Sequence, residues 1–440
     1  MATEHTAGAT PSLKSRAQRV LAGGPGTFSK NGTNYPEGLV PQALVRGEGA
    51  YVWGDDGRKY LDTVAALGPI LLGHANPVVN SAIRKQLLCG TSFSLMHPLE
   101  IEVAELFCDV LPCAEMVRWC RNGTDATQMA IRVARAITGK RHAIYCGYHG
   151  GGSDSYGITT DKSAGILDCL APYNHQTRWN DLSRVPFHAY DDLAIVMVEV
   201  PSVPWGTPDA DIAKTLEIYR HLADVHDALF VLDEIVTWPR YALGGAQTLY
   251  GVTPDLCTVN KAIANGLPLA ALVGKRQYME RLNQGDVFAS YTFAGETTAL
   301  AAAKAVITTL RDTDAFENLR RQGQALGEGL QMLFGQYALP VTLLGNYARM
   351  AVRWQDVPGN ASALELQTLW MAEMARRGIL MGYGVIFPMT CWTTDETQKI
   401  LQAAEDVCVC IADAIATNNI QDVLPCPVIH NSSIRRIEGT

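Results

Sequence analysis

The chain has 440 residues, of which 48% are hydrophobic and 18% charged. That balance can bury a substantial core and excludes wholesale disorder. With 36 basic against 44 acidic side chains the net charge is −8, which excludes the broad basic footprint of a nucleic-acid binder.

The length predicts roughly two to three domains, or one large α/β domain with a smaller partner. The first residues, to about Pro11, are small and polar and are expected to fray. They contain no apolar core of signal-peptide length. No later segment offers the roughly 20 apolar residues that a membrane span needs. The richest apolar run, Val64 to Leu72, is cut by Gly68 and Pro69. The expectation is a cytoplasmic protein with no membrane partner. Eleven cysteines occur without any C-x-x-C pair, so they read as small buried hydrophobes rather than disulfides, and no metal site is expected.

YVWGDDGRKYLD, from Tyr51, predicts two short strands around a tight turn. Helices are expected after Asn76-Pro77 and after His97-Pro98. The middle of the chain then alternates. Strands are predicted at 116–120, 142–147, 194–200, 228–234, 256–260 and 269–274, and helices at 124–139, 210–227 and 298–312. Apolar strands separated by helices predict a mostly parallel sheet covered on both faces, an α/β fold with its ligands at the carboxyl ends of the strands. The last third, with helices at 314–337, 364–378 and 394–415 and a strand at 350–354, reads as a smaller α+β unit.

Four features sit at predicted strand ends. Asn122-Gly123-Thr124-Asp125 opens a helix, where Thr124 can cap and free N–H groups suit a phosphate. Tyr148-His149-Gly150-Gly151-Gly152 offers an aromatic face beside a loop of glycines. Asp233-Glu234 closes an apolar strand, where a buried carboxylate needs a partner such as a protonated ring nitrogen. Lys261 follows the strand LCTVN, where desolvation would make its amine nucleophilic. Each alone has an ordinary structural reading: a capped helix, a flexible loop, a loop-capping Asp, a solvated lysine. Together, in this order, they are what pyridoxal phosphate (PLP) requires: a phosphate cradle, a stacking ring, a carboxylate for the pyridine nitrogen and an amine for the aldehyde.

RNGTDATQMAIRVARAITG, GYHGG, VLDEIVTWPR, GGAQTLYGVTPDL and NKAIANGLPLAALVG resemble the class III aminotransferases of fold type I, PLP enzymes. They are most similar to the branch around glutamate-1-semialdehyde aminomutase. Within it, TSFSLMHPLEIEVAELF and LPCAEMVR resemble the aminotransferases of surface-polysaccharide and amino-sugar pathways. The resemblance implies a large domain (76–315) with a seven-stranded, mostly parallel sheet. It also implies a small α+β domain formed by an N-terminal segment (1–75) and a C-terminal one (316–440).

The resemblance further implies a PLP-dependent aminotransferase. Such an enzyme moves an amino group from a donor such as glutamate to an aldehyde or keto acceptor, in ping-pong order, through a Schiff base on Lys261. An aminomutase, racemase or epimerase on the same scaffold is the alternative. Asp233 would pair with the ring nitrogen, and Ile235 and Tyr148 would cover the two ring faces. Gly123 and Thr124 would bind the phosphate, and Glu199 would lie near the cofactor. Thr292 would reach the phosphate of a neighbouring subunit, which implies a homodimer with active sites at the subunit interface.

Departures from the branch fall on the substrate side: Thr27 and Lys30 for a serine and a carboxylate-binding arginine, Leu67 for a tryptophan, and Val385 near a glutamate. Lys for Arg loses bidentate carboxylate recognition. Gly151 is expected to open the pocket and Trp238 to enter it as a bulky ring. His149 and Tyr148 are the candidates for a second base in a racemase.

Overall fold

The computed structural model describes residues 12–285 and 287–430. The expected fraying before Pro11 lies outside them.

The first three strands, β1 (Leu44–Glu48), β2 (Tyr51–Gly54) and β3 (Lys59–Asp62), form an antiparallel meander. The predicted hairpin is β2–β3. Its turn has Gly57 at φ +78°, a left-handed backbone that glycine adopts without strain.

The central sheet has seven strands: β4 (Met116–Cys120), β5 (His142–Cys146), β6 (Asn174–Thr177), β7 (Leu193–Val198), β8 (Leu229–Asp233), β9 (Leu256–Val259) and β10 (Ala270–Gly274). Their order is β4-β10-β9-β8-β7-β5-β6. β9, β8, β7, β5 and β6 run parallel, while β10 is antiparallel to both of its neighbours. Every residue of β5, β7 and β8 is buried, as expected of strands covered on both faces.

Successive side chains point to opposite faces. Tyr145, Met197 and Val231 pack with the helix Gly123–Thr138, while Ile144, Val196 and Phe230 pack with the helix Asp209–Val225. The first helix places Ala126, Ala130 and Ala134 one turn apart on its buried side. Such small side chains let the helix approach the sheet closely.

Most of a further apolar core comes from the C-terminal third, joined by Ala50, Leu61, Ala65 and Val236. β11 (Val341–Asn346), β12 (Arg349–Trp354) and β14 (Val385–Ile386) make a three-stranded antiparallel sheet. Helices Ala315–Gln336, Ala363–Arg376 and Thr394–Ala416 contribute to the same apolar cluster. β13 (Ile379–Leu380) leaves that sheet and pairs in parallel with β3. Residues 59–62 and 379–380 thus share one sheet. Among the described residues, no helix is long and apolar enough to cross a membrane.

β1, β6, β11, β13 and β14 are additional to the sequence expectations. β6 reads Asn-His-Gln-Thr, a polar run at the sheet edge. One of its side chains is tied inward: His142 Nδ1 lies 2.8 Å from His175 Nε2, with the rings stacked 6° from parallel. His188 meets His142 edge-on. This contact needs one nitrogen protonated and the other bare. Burial lowers both pKa values, that of His175 to about 4. In the unfolded chain both histidines take up protons near pH 6.5. The stabilisation is therefore complete above that pH and is lost as the pH falls toward 4. His175 is partly solvated, so we expect on the order of 1 kcal/mol. Denaturant midpoints from pH 7 to pH 4 should fall more steeply for the wild type than for His175→Gln; parallel curves would show that the pair carries no such term.

Candidate active site

The carboxyl ends of β4, β5, β7, β8 and β9 face one edge of the sheet, and each feeds a candidate residue into it. At the end of β4, Asn122 caps the following helix by accepting the N–H of Asp125 (3.0 Å). This corrects the expectation that Thr124 caps it. The helix itself supplies no acceptor for the N–H groups of Gly123 and Thr124. A Cβ on Gly123 would come within 2.6 Å of Ile235 Cδ1, and one on Gly150 within 2.5 Å of Thr124 Oγ1. Gly150, at φ +91° and close to the Thr124 backbone, admits no side chain without strain, whereas at Gly123 the Ile235 side chain would have to turn away. Thr127 donates its hydroxyl to the carbonyl of His149 (2.8 Å), which fastens the glycine loop to the helix.

After β5, Tyr148 donates its backbone N–H to Glu199 Oε2 (3.0 Å), and its phenol oxygen accepts the N–H of Gly151 (3.0 Å). Tyr156 stands perpendicular to its ring. Glu199, at the end of β7, also pairs with Arg349 Nη1 (3.3 Å) from β12. Both members of that pair are nearly excluded from solvent.

Asp233 ends β8 and is 1% exposed. Its Oδ1 accepts the Thr258 hydroxyl (3.0 Å) and the Ile235 N–H (3.1 Å). Its Oδ2 lies 2.7 Å from His149 Nδ1. His149 Nε2 is 3.1 Å from the Cys146 carbonyl. A carbonyl only accepts, so Nε2 carries a hydrogen, and a single further proton lies between Nδ1 and Oδ2. His149 is therefore a fully buried partner of Asp233. This corrects its assignment to the substrate side and removes it as a second base.

Glu234 is wholly buried behind Asp233, and burial raises its pKa. It accepts the N–H groups of Ala246 and Gln247 at the start of a short helix.

Trp238 is also corrected. It lies in the core against Phe107, donates Nε1 to the Leu243 carbonyl (2.7 Å) and does not enter a pocket. Leu67 packs with Val52, Tyr60, Val64 and Leu380. Thr27 and Lys30 sit on an exposed turn, in which Phe28 meets the Lys162 ammonium.

Lys261 follows β9 with φ +50°. A non-glycine residue there is held by its surroundings. Thr292 is exposed. Its loop is fixed by Arg132 of the helix Gly123–Thr138, which donates to the Phe288 carbonyl (2.8 Å), by Arg118 of β4, which donates to the Ala289 carbonyl, and by Arg121 over the Tyr291 ring.

Three residues escaped the sequence reading: Arg349, Arg240 and Asn265. Arg240 has no exposed surface. It donates to the carbonyls of Pro388 (2.6 Å), Gly68 (2.9 Å), Ile70 (3.0 Å) and Ala348 (3.4 Å). Burial lowers its pKa to about 9, so it stays cationic at neutral pH.

The family profile described as aminotransferase class-III matches residues 34–407. A glutamate-1-semialdehyde 2,1-aminomutase of Persephonella marina is 32% identical, across 90% of this chain and 97% of its own. One from Chloroflexus aurantiacus is 36% identical, across 71% and 74%. Among solved structures, the FumI protein of Sphingopyxis sp. MTA144 in its PLP internal aldimine form superposes with a TM-score of 0.82 at 27% identity, covering 92% of this chain and 97% of that one. A glutamate-1-semialdehyde aminomutase of Pseudomonas aeruginosa, in complex with PMP, shares the fold with a TM-score of 0.73 at 21% identity, covering 87% and 90%. The chain belongs to the class III aminotransferases and is a PLP-dependent enzyme.

The residues fit that cofactor. Helix N–H groups suit a phosphate, two glycines leave room beside them, and a buried carboxylate and a lysine end adjacent strands.

The Glu199–Arg349 pair joins the two parts of the chain at this edge. Removing one partner of a buried pair costs about 3–5 kcal/mol, whereas replacing both costs much less. Arg349→Met should therefore lower the denaturation midpoint more than the double variant Glu199→Gln/Arg349→Met. If the double variant is the less stable, the pair acts mainly through contacts other than its charge.

Proposed function

We propose that the protein is an aminotransferase that takes an amino group from an amino acid and gives it to a separate aldehyde or keto acceptor. When bound, PLP supplies a carbonyl that receives the donor's amine and a ring that accepts the electron pair of the broken C–H bond. The remaining roles fall to side chains of this chain. The N–H groups of Gly123 and Thr124, with the Thr124 hydroxyl, bind the phosphate. Ile235 and Tyr148 orient the ring. Asp233 holds a proton at the ring nitrogen, and His149 keeps that carboxylate in place. Lys261 Nζ anchors the cofactor and then moves the proton between the two reacting carbons.

The observation that carries this reading is the Asp233–His149 contact. A carboxylate excluded from water and braced by three donors is suited to stabilising a ring cation. The same contact weighs against a two-base racemase. His149 has both nitrogens engaged. The second reading is an aminomutase, favoured by the names of the curated relatives. It differs in needing no separate acceptor.

Absorbance spectroscopy of the holoenzyme tests both. Bleaching of the lysine-linked cofactor band by an amino acid, reversed only by an added carbonyl compound, is the expected result. Isomerisation of one substrate without net amine exchange would establish the aminomutase instead. Asp233→Asn should retain the cofactor and lose turnover by about two orders of magnitude or more; unaltered turnover would remove Asp233 from this role.

We place the active sites at a homodimer interface. Leu87, Leu88, Phe93, Leu95 and Met96 are exposed in one segment. Gln86 and the carbonyls of Gly90 and Thr91 bond to Thr297, which lies five residues beyond Thr292. Apolar surface of this kind marks an association site, and we assign Thr292 to its rim. Leu88→Asp/Leu95→Asp should sediment as a monomer with weakened cofactor retention. Sedimentation as a dimer would move the interface elsewhere.

A further inference from the structure

We propose that Asn265 is a positioning residue that locks the segment 65–73 onto the turn carrying Lys261 and so sets the enzyme's affinity for its amine substrates. The effect on substrates rests on the aminotransferase reading above; the lock itself does not.

Four residues after Lys261, Asn265 adopts φ +45° and ψ +44°. Asparagine tolerates this left-handed conformation better than most residues, because its short side chain can bond locally. Here the side chain bonds to a remote segment instead. Its Oδ1 accepts the N–H groups of Leu71 (2.9 Å) and Leu72 (2.8 Å), and its Nδ2 donates to the Gly73 carbonyl (3.0 Å). Both lone pairs of the amide oxygen are used. These three bonds span about 190 residues of sequence and satisfy three consecutive backbone positions.

The segment they hold is unusual. Ala65, Ala66, Leu67 and Gly68 all have positive φ, at 47°, 54°, 73° and 102°. A run of left-handed residues with side chains persists only where the surroundings fix it. Its start is fixed by Asp62, whose Oδ1 accepts the N–H groups of Val64 (2.8 Å) and Ala65 (3.1 Å). Its middle is fixed by the Arg240 bonds to Gly68 and Ile70. Its end is fixed by Asn265.

The segment rests directly on the lysine turn. A Cβ on Gly266 would come within 2.9 Å of Ile70 Cδ1. Movement of residues 65–72 and movement of the turn that begins at Lys261 are therefore one event. Loss of the Asn265 bonds would free residues 71–73 from the turn that begins at Lys261 without removing any group proposed to bind the phosphate or the ring.

The test uses holoenzyme variants. Asn265→Gly keeps the left-handed backbone at no steric cost and removes all three bonds. Asn265→Asp keeps the acceptor and loses the donor. Two quantities are read: hydrogen–deuterium exchange of the peptide containing Leu71 and Leu72, and the amine concentration giving half-maximal bleaching of the cofactor band. For Asn265→Gly we expect exchange faster by about tenfold or more, a half-bleaching concentration raised by a similar factor, and an undiminished band before amine is added. Asn265→Asp should lie between this variant and the wild type in both. Unchanged exchange in Asn265→Gly would overturn the lock. Faster exchange with an unchanged half-bleaching concentration would overturn its effect on substrate. If no amine bleaches even the wild-type band, the aminotransferase reading fails, while the exchange result still decides the lock.

Discussion

A carboxylate held away from water is the constraint around which the site is arranged. An ionised group in the position of Asp233 is tolerated only with partners on every side. The sheet supplies one from the neighbouring strand, Thr258, and one from its own backbone at Ile235. The third, His149, comes from a strand two places away. It is itself oriented by the Cys146 carbonyl, so the exit of β5 and the exit of β8 cannot move independently. Tyr148 precedes His149, and the loop they share is fastened to the helix that begins at Gly123. One buried charge thereby fixes the mutual placement of ring-stacking, phosphate-binding and proton-holding groups.

The same edge is braced by two arginines with different tasks, one from β12 and one from the loop that leaves β8. Arg349 meets a carboxylate and delivers a counter-charge to Glu199. Arg240 donates to carbonyl oxygens drawn from three remote parts of the chain and lies over the Phe387 ring. Its planar, forked donors suit such a junction, which a lysine's point charge would satisfy less completely. With Arg240 in place, the N-terminal segment, the β11–β12 hairpin and the residues after β14 keep a common reference at the loop leaving β8.

The central sheet was legible because its strands are short apolar runs closed by Gly, Asp or Lys, and because helices with clear periodicity separate them. Residues at strand ends were legible for a related reason: parallel topology brings all such ends together whatever their spacing in sequence. Orientation was not legible. Trp238 and His149 were placed in the correct loops, yet each side chain turns inward, a choice made by Phe107 in one case and by Asp233 in the other. β6 was missed because an edge strand need not be apolar. The antiparallel course of β10 was missed because a run such as LAALVG carries no direction. Arg240 and Asn265 were missed because bonds to backbone carbonyls and amides from remote segments leave no residue pattern.

The parallel pairing of β3 with β13 joins residues 61 and 379 in one sheet. A ribosome adding roughly 5–20 residues per second exposes β3 tens of seconds before its neighbour exists. Throughout that interval the edge of β3 offers unpaired backbone groups to any other extended chain, the usual opening for misassembly. The topology therefore makes this sheet one of the last parts of the nascent protein to close. It gives chaperones that shelter unfinished chains a defined place to act.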